Sequence, residues 1–472
     1  MQTLIHAWDQ IYSSWRQLHW YGVAVGSLLG IKLLLSIRRR RSPGLTFRKT
    51  SHRLNIHGVV TVYNESPAML RRCLESILAQ TLPPQSLTVI DDCSADQSAA
   101  ALIGEMRPQF DRAGIRLGFI RFPDNRGKRH GLAAGFREDP LADAYLCIDS
   151  DTVLDKHAVA ELAEPFGERR VHCVTGLVLA HNRDTNLLTR LIDMRYVNAF
   201  LGERVAYSRL GSVLCACGSL AMYRGWVIRK NLDDFLDQRF LGRPATFGDD
   251  RRLTYYCLTE GKSLIQPCAV GYTDVPERLG HYIRQQIRWG KSFIREGFLL
   301  FAKFRLSRMY WWLNLIELVT WVAFTAAMIT ALVAIALHPT GWALLASYIG
   351  YMCVMSWVRS IHYLRGAAMV GIVDRVLTFL AAPLYALLNI ALLLPLRLWS
   401  LATLRHTKWG TRAKIEVGVD VEAPEGRVGA PAPSLAIPHQ AANSRSGPAY
   451  SPDDGVALPA FDFPAPQTQA VQ

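Results

Sequence analysis

The stretch "AYLCIDSD", Ala144 to Asp151, joins a short apolar segment directly to two aspartates. Ligands of open α/β sheets bind beyond the carboxyl ends of strands, which is where Asp149 and Asp151 would lie. Carboxylates at positions i and i+2 can share one hard divalent cation. A lone DxD is more often a solvated turn, because aspartate is common in turns. The surrounding sequence has to decide between these two interpretations.

Residues 55 to 280 have the pattern of a soluble α/β domain. "IHGVVTVY" (56–63) and "LTVI" (87–90) are typical of strands, and a helix is expected after Ser66-Pro67, an N-cap followed by a first-turn proline. Short apolar strands that alternate with helices predict a mostly parallel sheet. A second carboxylate pair, Asp91-Asp92, follows the second of these strands.

An apolar run precedes this domain. Residues 20–37 are interrupted only by Lys32 and are followed by four arginines, 38–41. The run is just long enough to cross a bilayer, and its basic flank is expected to stay in the cytoplasm. A signal peptide is disfavoured because the basic cluster follows the run. We therefore expect an interfacial segment at 1–19 and a transmembrane helix with its basic flank at 20–41.

The chain after the α/β domain is again membrane-like. We expect an amphipathic interface helix at 290–310 and a transmembrane region at 311–400, with crossings near 312–337 and 342–358. Basic residues flank 376–398 on both sides and two prolines interrupt it, which favours a broken, re-entrant or twice-crossing hairpin over one crossing. The following segment, 401–418, would then be cytosolic. The Pro-, Ala-, Ser- and Gln-rich residues 419–472 are typical of a disordered tail.

The bulk composition supports a membrane protein. The formal net charge is +14, the isoelectric point is about 9.5 and the mean hydropathy is +0.10. A basic chain can bind nucleic acid or anionic lipid. Because the arginines cluster beside apolar runs, where they act as topology signals, we expect membrane lipid and no nucleic acid as a partner. The nine cysteines include no CxxC pair, which favours reduced thiols over a disulfide framework.

Six motifs follow one another in order over about 230 residues. They are "YNES" (63–66), "IDDCSAD" (90–96), "NRGKRHG" (125–131), the DSD (149–151), "FGDDRRLT" (247–254) and "QQIRW" (285–289). This set resembles the processive family 2 glycosyltransferases, which include cellulose, chitin and hyaluronan synthases. The resemblance implies a GT-A fold with a mostly parallel sheet at 55–289, joined to an α-helical transmembrane region. It also implies a UDP-sugar donor, a Mg²⁺ or Mn²⁺ ion, and inversion at the anomeric carbon.

Longer segments resemble one branch of this family most closely. They are "RYVNAFLGERVAYSRLGSVLCACGSLAMYR" (195–224), "FLGRPATFGDDRRLT" (240–254), "YTDVPE" (272–277), "RQQIRWGKSFIRE" (284–296) and "WGTR" (409–412). These segments look most like the class I hyaluronan synthases, and the first also resembles the rhizobial chitin-oligosaccharide synthases. One departure is Ser219, which stands where these families usually have a proline.

The resemblance implies a multi-pass enzyme of the cell membrane with a cytoplasmic catalytic domain. It would polymerise hyaluronan from UDP-GlcNAc and UDP-GlcA and export the growing polysaccharide through its own channel. A chitin-oligosaccharide synthase that uses UDP-GlcNAc alone is the alternative. A decayed transferase acting in polysaccharide export is a non-enzymatic alternative, but such a protein would be expected to lose an acid or the QxxRW set. The oligomeric state stays open, and a monomer is compatible with the sequence.

The resemblance also implies roles for individual residues around the donor. Uracil and ribose would contact Tyr63, Glu65, Asp91 and Asp92, and the diphosphate would lie near Lys128 and Arg129. Asp149 and Asp151 would position the metal, with Asp151 as its direct ligand and Asp149 also near the nucleoside.

On the acceptor side, Asp250 is the expected general base and Asp249 a neighbour that orients it. Cys217 and Gly218 would form the acceptor wall, although Cys217 would fit equally well in a core. Gln285, Arg288 and Trp289 share one helical face, where they would serve the acceptor, the diphosphate and the floor beneath the acceptor sugar. An interfacial belt residue is the alternative for Trp289. Trp409 and Arg412 would belong to a gating segment that closes over the bound UDP-sugar.

Overall fold

A computed structural model describes residues 22–37, 54–245, 247–303, 305–337, 341–366 and 370–405. The expected interfacial segment 1–19, the gating residues Trp409 and Arg412 and the tail 419–472 lie outside the described residues.

The α/β domain is built on an eight-stranded sheet with the order β3-β2-β1-β4-β7-β6-β10-β5. Strands β1 to β4 are mutually parallel, β7 runs antiparallel between β4 and β6, and β10 is parallel to β6 and antiparallel to β5. The mostly parallel sheet is therefore confirmed. The strands are β1 (Ile56–Val62), β2 (Ser86–Asp91), β3 (Arg116–Arg121), β4 (Ala144–Asp149), β5 (Val153–Leu154), β6 (Val171–Ala180), β7 (Leu220–Arg224) and β10 (Lys262–Thr273), with a separate pair of β8 (Arg239–Phe240) and β9 (Arg243–Pro244).

Helices connect these strands and cover both faces of the sheet. They are α2 (Pro67–Leu78), α3 (Ser98–Arg112), α4 (Lys128–Glu138), α5 (Ala158–Ala163), α6 (Leu187–Val197), α7 (Val205–Arg209), α8 (Gly225–Lys230), α9 (Leu232–Leu236) and α10 (Asp249–Glu260), with a π-helical turn at Asn198–Arg204 between α6 and α7. Helix α1 (Gly22–Ile37) precedes the sheet.

The sheet has the apolar composition that two covered faces require. Strands β2 and β4 are buried almost throughout, and the apolar residues of β1 contact helices on both sides. Helix α4 comes unusually close to β1: a Cβ atom on Gly135 would lie 2.4 Å from Val59. Helix α2 begins at Pro67 as expected, but the Ser66 hydroxyl makes no cap bond, and the Ser66 carbonyl accepts the first helical N–H groups instead.

One continuous helix, α11 (Leu279–Lys303), connects the sheet domain to the membrane helices. It contains both "QQIRW" and most of the expected interface helix. The domain boundary expected between residues 289 and 290 therefore lies within a helix. The helix continues through Gly290, where it lies close to a later helix: a Cβ atom there would lie 2.8 Å from the Ser400 hydroxyl.

Two helical runs among the described residues are long and apolar enough to cross a membrane, α12 (Met309–Leu337) and Ile372–Ala402. They indicate a membrane protein. Helix α1 is apolar but shorter. The expected crossing at 342–358 falls within α13 (Gly341–Gly366), which packs against α12, and it stays a prediction.

The run Ile372–Ala402 consists of consecutive helical pieces. They are α14 (Ile372–Leu380), α15 (Ala382–Leu388), a π-helical turn (Asn389–Leu393) and α16 (Leu394–Ala402). Two of the junctions coincide with Pro383 and Pro395, each in the first turn of a piece. The segment therefore forms a run of helical pieces that is interrupted near its two prolines, and its path through the membrane stays a prediction. The cytosolic location of 401–418 stays a prediction.

Candidate active site

A single cavity of about 1210 Å³ lies along the carboxyl ends of β1 and β4 and continues between the apolar helices. Tyr63, Lys128 and Asp149 line its outer part, whereas Trp321 of α12 and Tyr385 of α15 line its inner part. The loops after parallel strands meet at this edge of the sheet, which explains why distant motifs converge here.

The outer part is shaped by Asp92. Its two carboxylate oxygens accept hydrogen bonds from the backbone N–H groups of Arg126 and Gly127, at 2.7 and 2.8 Å. These bonds fix the loop immediately before α4, where Gly127 adopts a φ of +85°. Burial raises the pKa of Asp92, although both backbone bonds oppose that change. Asp92 therefore positions the N-terminus of α4, a location suited to binding anions.

The two acids of the DSD have different partners. Asp149 contacts the Lys128 ammonium through one oxygen and accepts a hydrogen bond from the Ser219 hydroxyl through the other, at 2.8 Å. Asp151 accepts a hydrogen bond from the Thr273 hydroxyl at 3.0 Å. Burial by itself would lower the pKa of Lys128, but the neighbouring Asp149 outweighs it and the pKa is raised. A permanently charged ammonium is thus held at the cavity wall.

The second acid pair begins α10, where carboxylates are favoured by the helix dipole. Asp249 is buried and pairs with the Arg129 guanidinium at 2.8 Å. Asp250 lines the cavity, and the Cys215 thiol lies 3.4 Å from one of its oxygens. The preceding residue, Gly248, has a φ of +102° and lies against Ser292 of α11. Both acids line the cavity, and Asp249 is in addition tied to a buried cation.

An aromatic and cationic surface lies across the cavity from these acids. The Trp289 ring is 41% exposed and is 6.3 Å from the Tyr196 ring, centroid to centroid. The Arg195 guanidinium lies 5.2 Å from the Trp289 ring and donates a hydrogen bond to Gln286 at 2.8 Å. Exposed aromatic rings of this kind stack well on the apolar face of a sugar. We call Arg195, Tyr196 and Trp289 the acceptor floor.

The region that carries these motifs is similar to known proteins. The model of the family described as "Glycosyltransferase like family 2" matches residues 54–292. The hyaluronan synthase of Streptococcus pyogenes serotype M3 is 36% identical over 397 residues, which are 84% of this chain and 91% of the synthase. This chain belongs to glycosyltransferase family 2. An N-acetylglucosaminyltransferase of Mesorhizobium japonicum is 34% identical over 363 residues, covering 75% of this chain and 81% of that protein.

The family 2 transferase also aligns with the mannosyltransferase PcManGT from Pyrobaculum calidifontis, solved with GDP-Man and Mn²⁺. The sequence identity is 17%, the TM-score is 0.48, and the match covers 78% of this chain and 97% of the mannosyltransferase. The sheet order and the family together assign a GT-A-like fold, as the sequence predicts.

Most predicted site residues of this transferase line the one cavity. They are Tyr63, Asp92, Lys128, Arg129, Asp149, Asp151, Cys217, Gly218, Asp249, Asp250, Gln285, Arg288 and Trp289. Their roles stay predictions, but their convergence from six separate motifs is a structural fact.

Three predicted donor contacts are placed differently by the transferase's structure. Asp91 is fully buried off the cavity wall, where it accepts the Ser94 N–H at 2.9 Å and lies 3.4 Å from the Arg121 guanidinium. Glu65 is also absent from the wall and accepts the Ser150 hydroxyl at 2.9 Å. Arg129 borders the cavity, but its guanidinium is taken up by Asp249 and the carbonyl of Ala245. Each of these charged groups has a protein partner in the structure, as buried charges require, and their predicted contacts with the donor stay predictions.

Several site residues were missed by sequence reasoning. Thr273 hydrogen-bonds Asp151, and Arg195 and Tyr196 contact Trp289. All three lie in segments that carry the family resemblance, 195–224 and 272–277, but nothing in those segments marks these residues individually. Ser219 was noted only as a departure from proline. Its hydroxyl holds Asp149, a hydrogen bond that proline cannot make.

Asp149 and Asp151 fit a divalent ion that would be bound together with the phosphates of a substrate. Among the described residues no three His, Cys, Asp or Glu side chains converge on one point, so the protein alone offers no closed cage. Mg²⁺ is commonly held by one or two carboxylates together with substrate phosphates. Asp151, with Asp149 beside it at the end of β4, supplies that donor set.

Proposed function

We propose that this transferase polymerises hyaluronan from UDP-GlcNAc and UDP-GlcA and exports it through its own membrane region. The observation that carries the proposal is the continuity of the cavity, which runs from the acids at the sheet edge to Trp321 and Tyr385 among the membrane helices. A processive enzyme needs such a connection, because its product must leave the site without dissociating. The catalytic domain would then face the cytoplasm, where UDP-sugars are made.

In this proposal, individual residues of the protein have separate roles in glycosyl transfer. Tyr63 would stack on uracil, and Lys128 and Arg288 would bind the diphosphate. A divalent ion held by Asp151 would offset the charge that develops on the departing UDP. Asp250 would accept the proton of the attacking hydroxyl, while Arg129 holds Asp249 and so fixes the turn. Trp289 would support the acceptor sugar at the entrance to the helical part of the cavity.

The charge of the inner cavity favours a hyaluronan product. Lys32 of α1, Arg359 of α13 and Arg397 of α16 line this part and outnumber the two glutamates there, Glu203 and Glu317, of which Glu203 contacts Arg359. Hyaluronan carries a carboxylate on every second sugar, whereas chitin is neutral, so cations along the path would attract the former. The rhizobial relatives keep a chitin-oligosaccharide synthase as the second candidate.

A labelled-donor assay tests the proposal. Membranes that contain the enzyme receive UDP-GlcNAc alone, UDP-GlcA alone, or both, and polymer is separated by size. Long polymer that requires both donors and is degraded by hyaluronidase is the expected result. Robust polymer from UDP-GlcNAc alone, degraded by chitinase, would overturn the hyaluronan assignment and support the second candidate.

A further inference from the structure

Helix α6 connects two parts of the molecule that the reaction must keep aligned. It packs against α13, α14 and α15 of the membrane region. Its C-terminal turn carries Arg195 and Tyr196, which contact Trp289 in the acceptor floor. Whatever holds α6 against the membrane helices therefore also places the floor on which the acceptor would lie.

A charged network fastens the N-terminal end of α6 to those helices. The Arg183 guanidinium lies 2.6 Å from the carboxylate of Asp374 in α14, and its Nε donates a hydrogen bond to the Tyr363 hydroxyl of α13 at 3.1 Å. Arg190 of α6 donates to the other oxygen of Asp374 at 3.0 Å. Two arginines of the catalytic domain thus share one acid of the membrane region.

The network ends inside the catalytic domain at Asp193, which is almost fully buried in α6. The Tyr363 hydroxyl donates to Asp193 at 3.2 Å, and Arg183 Nε lies 3.5 Å away. The second Asp193 oxygen accepts the N–H of Ala180, the last residue of β6, at 3.0 Å. Burial raises the pKa of Asp193 to about 6, against the opposing effects of its hydrogen bonds and of Arg183. A carboxylate placed there depends on its partners to stay charged.

The same contacts continue to the DSD. Ala180 pairs with Thr273 at the end of β10, and the Thr273 hydroxyl donates to Asp151. By contrast, Asp92 and Lys128 are held by groups outside the network, namely the N–H groups of Arg126 and Gly127 and the carboxylate of Asp149. The DSD is reached only through the backbone pairing of Ala180 with Thr273, whereas the acceptor floor lies on α6 itself. Loss of the network should therefore disturb the acceptor side more than the binding of donor.

We propose that Arg183 and Asp374 are positioning residues that hold the acceptor floor in register with the membrane helices. The inference rests on the proposed acceptor role of Trp289. When the floor shifts, the acceptor hydroxyl no longer meets the anomeric carbon, and water takes its place. Water oxygen then bonds to that carbon, the bond from the carbon to the UDP oxygen breaks, and the water proton passes to solvent. UDP and free sugar are released without chain growth.

The test measures UDP released per sugar incorporated, together with the donor KM, in purified enzyme. Asp374→Asn removes the shared charge at almost constant size. Arg183→Lys keeps the positive charge but loses the planar guanidinium that contacts Asp374 and Tyr363 at once. For both we expect the ratio to rise about tenfold with little change in donor KM, since an ångström of misplacement can cost a hundredfold in transfer. Asp374→Glu should restore part of the coupling.

Glu105→Gln is the matched control. Glu105 of α3 is 58% exposed and pairs with Arg71 of α2, so this substitution also removes one charge from an ion pair but leaves the network intact, and its ratio should stay at the wild-type value. Arg190→Gln, which removes only one contact to Asp374, serves if Arg183→Lys does not fold. A ratio that stays constant while yield or thermal midpoint falls would show a merely structural network and overturn the inference. Because any donor that supports transfer can be used, the outcome is independent of whether the product is hyaluronan.

Discussion

The Arg129 guanidinium lies 2.8 Å from the Asp249 carboxylate, and both side chains are about 95% buried. The pair joins α4, which follows the loop of Arg126 and Gly127, to the turn that carries Asp250. Breaking a buried pair by removing one partner typically costs about 3–5 kcal/mol, because the other charge is left uncompensated. We therefore expect Arg129 and Asp249 to stabilise the turn that carries Asp250.

Replacing Arg129 tests this assignment. Arg129→Met should lower the thermal midpoint and the activity together, because Asp249 loses its partner. The double variant Arg129→Met/Asp249→Asn should recover much of the stability, because no unpaired charge remains. Thermal unfolding in detergent, followed by tryptophan fluorescence, provides the measurement. If Arg129→Met instead raised only the donor KM at constant stability, Arg129 would be a donor ligand after all.

Asp250→Asn should abolish transfer without destabilising the protein. Asp250 is only partly buried and faces the cavity, and a general base typically contributes about 10²–10⁴-fold to the rate. We expect kcat to fall by roughly that factor, with an unchanged donor KM and thermal midpoint. Asp111→Asn on the exposed face of α3 is the control. Full turnover in Asp250→Asn would exclude Asp250 as the base.

Gly248→Ala should disrupt the turn that carries Asp250, in this case through its backbone. Gly248 has a φ of +102°, and a Cβ atom there would lie 2.7 Å from the Ser292 hydroxyl oxygen. The backbone of the turn would have to move, and Asp250 with it. We expect a loss of kcat with a smaller effect on donor KM. The double variant Gly248→Ala/Ser292→Gly relieves the clash but not the backbone strain, so we expect only partial recovery of kcat. Full recovery of kcat would show that the left-handed backbone at residue 248 is not required.

The stability of the sheet domain should depend on pH through His57. This side chain is buried in β1 and hydrogen-bonds Ser86, and burial lowers its pKa from 6.5 to about 4. Below pH 6.5 the unfolded chain therefore binds a proton that the folded chain does not, so stability falls as pH falls from about 6.5 towards 4. The full effect is on the order of 3 kcal/mol.

Thermal midpoints at pH 7.5 and 5.5 give the measurement for this prediction. His57→Gln should flatten the dependence, whereas His157→Gln, at an exposed position, should leave it unchanged. An equally steep loss of stability in His57→Gln would assign the effect to another group.

Much of the site could be predicted because local sequence carries it. A strand that ends in "DSD" and a Gly-Asp-Asp turn indicate where acids meet a sheet edge, and the structure brings both to one cavity. Asp91 and Asp92 show where such reasoning stops. The two are adjacent and chemically identical, yet in this structure Asp92 borders the cavity and Asp91 is buried against Arg121, because successive residues at the end of a strand point to opposite faces.

The sequence alone indicated an α/β domain with a mostly parallel sheet, the apolar runs and the motifs of a family 2 glycosyltransferase, since these depend on periodicity and on short-range residue patterns. Only the tertiary structure decided that Asp92 and not Asp91 lines the cavity, that "QQIRW" and the interface helix are one helix, and that Arg183 and Asp374 join α6 to the later apolar helices. Those facts depend on contacts between residues far apart in the chain, with Arg183 and Asp374 in different parts of the fold, and no local pattern encodes such pairings.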